Sequence, residues 1–148
     1  MSNAKSCENA VAQARAQYTS IKEMVANLRN AADCVGREGD DRRDEAARVI
    51  HEDALSVEVR SGWCAPGGDD RDSCRVPAEY KILLCTGGPA VQIIGKLSNC
   101  AEPESARIQY QDWFTPWTDW RGEGVPDTAS EIGETLLSYA RCFYYAVD

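Results

Sequence analysis

Apolar residues recur along the first part of the chain at helical spacing. Cys7, Val11, Ala14, Tyr18, Ile21, Val25, Leu28 and Ala32 are separated alternately by four and three positions. That is a heptad-like seam, and it predicts a helix over about residues 5–33. Several seam residues are small, and the flanking Arg15, Gln17, Lys22 and Met24 carry no charge code for a partner helix. The expected use of the seam is packing on the chain's own domain, with self-association as the competing use. Gly36 and Gly39 break the run. Asp40 and Asp41 stand where they would cap a second helix reaching about Asp53, with Ala46, Val49 and Ile50 on one face.

The period then changes from helical to alternating. Leu55, Val57 and Val59 alternate with Ser56, Glu58 and Arg60, the signature of a half-buried strand. Residues 65–78 have the composition of a polar loop. Tyr80 to Cys85 is apolar on both faces and fits a central strand. Thr86-Gly87-Gly88-Pro89 reads as a hairpin turn, with a return strand over 90–97 that turns Val91, Ile93 and Leu97 inward. A fourth strand, 105–112, sets Ala106, Ile108 and Tyr110 against Arg107, Gln109 and Gln111. Thr128 with Glu131 three residues on is a capping box. It opens a helix carrying Ile132, Leu136, Tyr139, Ala140 and Phe143 on one face.

The order of helix, helix, four strands and helix, with short links between strands, predicts an α+β fold of two layers. Its sheet is a four-stranded antiparallel meander packed by helices on one face, the other face being left to solvent or a partner. Residues 5–35 form the N-terminal helix and 40–148 a single domain. Met1-Ser2-Asn3-Ala4 has the look of an expression remnant and is set aside.

The segment Tyr110 to Trp120, YQDWFTPWTDW, holds three of the four tryptophans beside two aspartates. Pro116 interrupts any regular element there. Two roles compete. The rings either seal the open side of the core, with Asp112 or Asp119 bonded to backbone, or form a recognition surface for a cationic partner. Sealing is the expectation for Trp113, at the end of the fourth strand. Trp120, beyond Pro116 and beside Arg121 and Gly122, is expected to reach solvent.

The 148 residues suffice for one domain with a real core, and the formal charge is −8. The acidity is uneven: residues 1–60 hold 9 basic and 11 acidic side chains, residues 61–148 hold 7 and 13. Such a balance disfavours direct nucleic-acid binding, which needs excess Lys and Arg against phosphate. It suits attraction to a basic protein. No apolar run approaches the length of a membrane span, and the N-terminus lacks the apolar stretch of a signal peptide. A cytoplasmic protein is expected.

Candidate chemistry is sparse. Gly87-Gly88 lacks the Lys-Ser/Thr and following helix of a phosphate loop. His51 is the single histidine and reads as a solvated helix residue; no thiol spacing recommends it as the base of a nucleophile. The seven cysteines show no close pair of the kind that announces zinc. No catalytic residue, metal or cofactor is expected. Cys85 and Cys142 lie in apolar surroundings, while Cys64 and Cys74 could face each other across their loop.

The blocks HEDALSVEVRSGW (51–63), YKILLCTGGPAVQIIGKL (80–97), RIQYQDWFTPWTDW (107–120) and ETLLSYARCFYY (134–145) together resemble a family of small intracellular proteins encoded by bacterial phages and prophages. The resemblance covers about residues 48–146. It implies a setting, the cytoplasm of a bacterial host, and no activity or catalytic residue. The expected function is therefore non-enzymatic binding to a host protein, as an acidic inhibitor or mimic in one version. Arg60, Trp63, Asp112, Trp113, Trp117, Asp119 and Trp120 are the candidate binding residues. The alternative is a small enzyme or ligand-binding domain with its pocket between the aromatic segment and the sheet. A monomer or a weak homodimer through the N-terminal helix is expected, and deletion of that helix is expected to leave residues 48–146 folded.

An odd cysteine count without an export signal predicts that no disulfide is needed for folding. Melting curves with and without reductant should coincide. A loss beyond about 2 kcal/mol on reduction would reveal a native bridge.

Overall fold

The structure is a computed structural model that describes residues 2–63, 76–87, 89–112 and 116–146, with side chains from Glu8 onward. Among these residues three helices and five strands follow in the order α1 (Ser2–Ala32), α2 (Gly36–Asp53), β1 (Ser56–Ser61), β2 (Pro77–Cys85), β3 (Ala90–Lys96), β4 (Arg107–Gln111), β5 (Thr118–Asp119) and α3 (Ala129–Ala140). The strands form one open antiparallel sheet in chain order, β1 to β5. The fold is α+β, and its meander has five strands rather than four. The additional strand is a two-residue pairing of Thr118 and Asp119 with Tyr110 and Gln109. It is too short for an alternating pattern to announce, and it follows a proline.

The helices lie on one face of the sheet. From β2 the inward residues are Tyr80, Ile82 and Leu84, from β3 Val91 and Ile93, and from β4 Ile108 and Tyr110, all buried. Against them lies α1, which also packs on α2 and α3. Its Ala10, Ala14, Tyr18, Ile21 and Val25 are buried in the same core as the strands. The seam thus closes on its own domain. At its ends the buried stripe steps to Ala10 and Ala31 while Val11 stays half-buried and Ala32 is exposed. A straight helix of 3.6 residues per turn drifts by about 20° per heptad relative to a heptad seam.

The corner from α1 to α2 differs from the expected break. α2 starts at Gly36, four residues before Asp40, with Val35 as N-cap and no side-chain cap. Gly36 takes a φ of +82°, which lets the chain turn there. Gly39 sits inside the first turn of α2, where a Cβ would lie 2.4 Å from the Cys34 carbonyl oxygen. Arg43 donates to that same oxygen at 3.3 Å. The two glycines therefore tighten the corner instead of ending the helical region.

Polar pins join the remaining pieces. The hydroxyl of Tyr18 donates to Asp127 at 2.6 Å, and Lys22 reaches the other carboxylate oxygen at 2.9 Å. Together they hold the approach to α3 against α1. The expected capping box is present, Thr128 accepting from the Glu131 N–H and Glu131 from that of Thr128. Tyr139 donates to Asp53 at 2.8 Å and ties α3 to the end of α2. His51 is exposed but not idle: its Nε2 donates to the Cys142 carbonyl, and its ring lies 5.5 Å from that of Phe143.

Two consequences can be measured. Because α1 supplies fully buried residues to the single core, removal of residues 1–33 should abolish cooperative melting, which reverses the expectation from sequence. Ile21→Ala alone should cost about 2–5 kcal/mol. Cooperative melting of the truncated chain would contradict this packing.

Burial and then the Asp127 hydrogen bond push the Tyr18 phenol up to about 12. Its folded pKa is thus above the ordinary value of about 10. The contribution of neutral, bonded Tyr18 is complete below that ordinary value and is lost as pH rises through about 12. The stability difference between parent and Tyr18→Phe should hold at neutral pH and close across that alkaline window. A difference independent of pH would show that burial and the Asp127 bond do not hold the Tyr18 phenol neutral.

Candidate functional site

With the described helices on one side, none of them covers the outer face of the sheet, and alternation decides what that face displays. β1 presents Glu58 and Arg60, β2 Glu79, Lys81 and Leu83, β3 Gln92, Ile94 and Lys96, and β4 Arg107, Gln109 and Gln111. Across β1 and β2, Glu58 stands opposite Lys81 and Arg60 opposite Glu79. Both pairs are ion-paired, Lys81 to Glu58 at 3.8 Å. Directly opposed charges of unlike sign stabilise a sheet modestly, by about 0.2–1 kcal/mol per pair.

Towards β5 the face carries a chain of side-chain hydrogen bonds. Gln92 Nε2 donates to Gln109 Oε1 at 2.9 Å, and Gln109 Nε2 donates to Asp119 Oδ1 at 2.8 Å. Arg107 approaches the other Asp119 oxygen at 3.4 Å. A carboxylate only accepts, so Asp119 fixes the orientation of the Gln109 amide, which in turn fixes that of Gln92. The buried Gln92 is left with an oxygen that takes no hydrogen bond from the described residues.

Beside this chain of bonds the outer face holds a hollow of about 690 Å³. Gln92 and Ile94 line it along β3, Trp117 borders it beside β5, and charged groups ring it. Its lining carries Arg60, Lys81, Lys96 and Arg107 against Glu58 and Glu79. The lining thus carries a small cationic excess in a chain of net charge −8, with Arg60, Lys81 and Arg107 ion-paired to Glu79, Glu58 and Asp119 and Lys96 outside any ion pair among the described residues. Gly95 is required beneath it, since a Cβ there would lie 1.9 Å from the Ser105 carbonyl oxygen and 2.7 Å from the Tyr80 ring.

The structure brings some of the sequence-derived candidates together and separates others. Arg60 and Trp117 line the hollow. Asp119 does not line it and is engaged by Gln109 and by Arg107, which does. Trp63 is fully exposed past the end of β1, apart from the lining residues. Asp112 is buried and is not presented to a partner. Trp113 lies outside the described residues, as do Cys64 and Cys74.

The expectation that Trp120 reaches solvent is overturned: it is 4 % exposed, and its ring lies 5.2 Å from Tyr18. The reason is register. Thr118 stands opposite the inward residue Tyr110, so two residues on, Trp120 also turns inward, its N–H bonded to the Ile108 carbonyl. Trp120 thus takes a sealing role, and the expectation for Trp113 falls outside the described residues. The indole N–H of Trp120 finds no acceptor among the described residues.

Sequence reasoning missed Lys81, Gln92, Ile94, Lys96 and Arg107 as lining residues. The signal was available in the outward phase of the alternating strands, but an outward position does not say that neighbouring strands form a hollow. Among the described residues there is no cluster of three His, Cys, Asp or Glu side chains that could hold a metal ion. No described helix is long and apolar enough to cross a membrane. The His51 ring meets the Cys142 carbonyl and not its thiol, which instead bonds Ser138 at 3.4 Å. Burial raises the pKa of the Cys85 and Cys142 thiols, the opposite of what a nucleophile needs. Compared with protein-family models, curated proteins and solved structures, the chain shows no significant match.

Trp120→Ala should cost about 3–5 kcal/mol, through lost contact with Tyr18 and the core and the cavity left behind. Denaturant unfolding checks this. A variant that unfolds like the parent would return Trp120 to the surface.

Proposed function

We propose that this chain is a non-enzymatic binding protein that takes a segment of a protein partner on the outer face of its sheet. The observation that carries the reading is the hollow of about 690 Å³, with a mixed polar and apolar lining, on a face that no described helix covers. Its excess of cations favours a partner segment bearing acidic groups, with Trp117 and Ile94 offering apolar contact. The Gln92 oxygen offers an acceptor to a partner N–H. This departs from an acidic mimic of nucleic acid, because Asp112 is buried and Asp119 is held by Arg107 and Gln109. The phage-type resemblance supplies the setting, a bacterial host protein as partner. A second reading follows from the size of the hollow, which falls within the range of small-molecule sites. In that reading an anionic ligand stacks on Trp117.

Acidic extended peptides and a panel of anionic metabolites, titrated against tryptophan fluorescence, separate the two. The protein reading expects peptide binding that weakens with salt, since exposed charges are screened over about 8 Å at physiological ionic strength. Lys81→Glu with Lys96→Glu should weaken it by about tenfold or more. Each lysine stands opposite a glutamate, Lys81 opposite Glu58 and Lys96 opposite Glu79, so melting should fall modestly, by about 0.2–1 kcal/mol per pair, while the protein stays folded. Metabolite binding alone would promote the second reading. Binding of either kind that ignores the double variant would remove the hollow as the site.

A further inference from the structure

One candidate from the sequence, Trp63, plays no part in the hollow, and it stands at a second unusual place. β1 ends the sheet, so its outer edge has no strand partner among the described residues. An open edge presents unpaired backbone N–H and C=O groups to any chain able to pair with them. This one also gathers exposed apolar side chains. Leu55 before the strand is 58 % exposed, Val57 within it 37 % and Trp63 beyond it 104 %. Of the seven exposed large hydrophobic residues among those described, three therefore lie along one six-residue strand and its ends. Proline, a common guard of such edges, is absent from Ser56–Ser61.

We propose that the edge of β1 pairs antiparallel with β1 of a second copy, about a two-fold axis at Val59. The occupant is argued from charge. An isologous contact must be complementary to itself. With the axis at Val59, Glu58 of each copy stands opposite Arg60 of the other. Moving the axis to Glu58 or to Arg60 sets two identical charges face to face instead, which is unfavourable. Within one copy, Glu58 is already opposite Lys81 and Arg60 opposite Glu79. The pairing extends that row across the seam as Lys81, Glu58, then Arg60 and Glu79 of the second copy, with alternating sign throughout. Regular pairing of β1 with β2 ends at Arg60, where the register shifts, so the seam is held by the two Glu58–Arg60 pairs.

The alternative route to a dimer, through the N-terminal helix, is closed by the structure, because the α1 seam is spent on the chain's own core. Antiparallel pairing keeps the inner faces on one side, so two sheets merge into one. The two hollows then lie on the same outer surface, with Arg60 of each at the seam.

Sedimentation velocity in reductant, across low to high micromolar protein, tests the pairing. The expected result is a concentration-dependent shift from 16.3 kDa towards twice that mass. Arg60→Glu and Glu58→Arg, each alone, place like charges opposite each other and should weaken dimerisation by about tenfold or more. When the two variants are mixed, each copy presents two like charges at the seam, acidic on one and basic on the other. Both opposed pairs are then of unlike sign, and the mixture should dimerise again. Thermal melting confirms that each variant is folded. Val57→Lys, at an exposed site, provides an independent break and should leave a monomer. A parent that stays monomeric throughout, single variants that dimerise like the parent, or folded variants whose mixture stays monomeric would each overturn the proposal.

Discussion

Everything in this molecule depends on the burial of one stripe of α1 against the inner face of the sheet. Fully burying a side chain of the size of Ile or Val contributes about 1.5–3 kcal/mol. Tyr18, Ile21 and Val25 of α1 meet that condition together with Ile82, Val91, Ile93 and Ile108 of the strands. The small residues Ala10 and Ala14 are fully buried in the same core. Once α1 occupies the inner face, with α2 and α3 beside it, no described helix is left for the outer face. That the described helices leave the outer face uncovered is thus a consequence of how the core is filled.

That outer face is not simply a solvated surface. Its charges are set opposite one another across strands, and its amides are bonded in series. Asp119 governs one end of the series, so an acidic residue of the kind that attracts a basic partner instead orients two glutamines. The net acidity of the chain and the small cationic excess in the lining of the hollow are compatible because the acidic groups concentrate elsewhere, on α2 and around α3. Composition reports the sum over the surface, whereas recognition depends on the local excess.

The long elements are legible in the sequence because each has a period. The heptad-like stripe, the alternation in 55–60 and 105–112, and the Thr128–Glu131 capping box all correspond to elements found in the structure. The start of α2 is not legible in the same way. Asp40 and Asp41 look like caps, whereas Gly36 and Gly39 serve a tight corner that only the neighbouring Cys34 carbonyl explains. β5 and Trp120 escape sequence reading for a related reason. Pro116 predicts the end of regular structure, yet two residues later the chain pairs with β4, and that register turns Trp120 inward. The hollow is only half legible: Arg60 and Trp117 stand out by type, but Gln92 and Ile94 become neighbours of Trp117 only through pairing across three strands.

The claim that α1 and the sheet form one cooperative core, leaving the outer face free of the described helices, is tested most directly by native-state hydrogen exchange. Amides in the middle of α1, from Ala14 to Val25, should open only with global unfolding, at the same free energy as those of β3 and β4. If α1 exchanges by a separate, easier opening while β3 and β4 stay protected, the helix is an accessory to the sheet and this account of the fold is wrong.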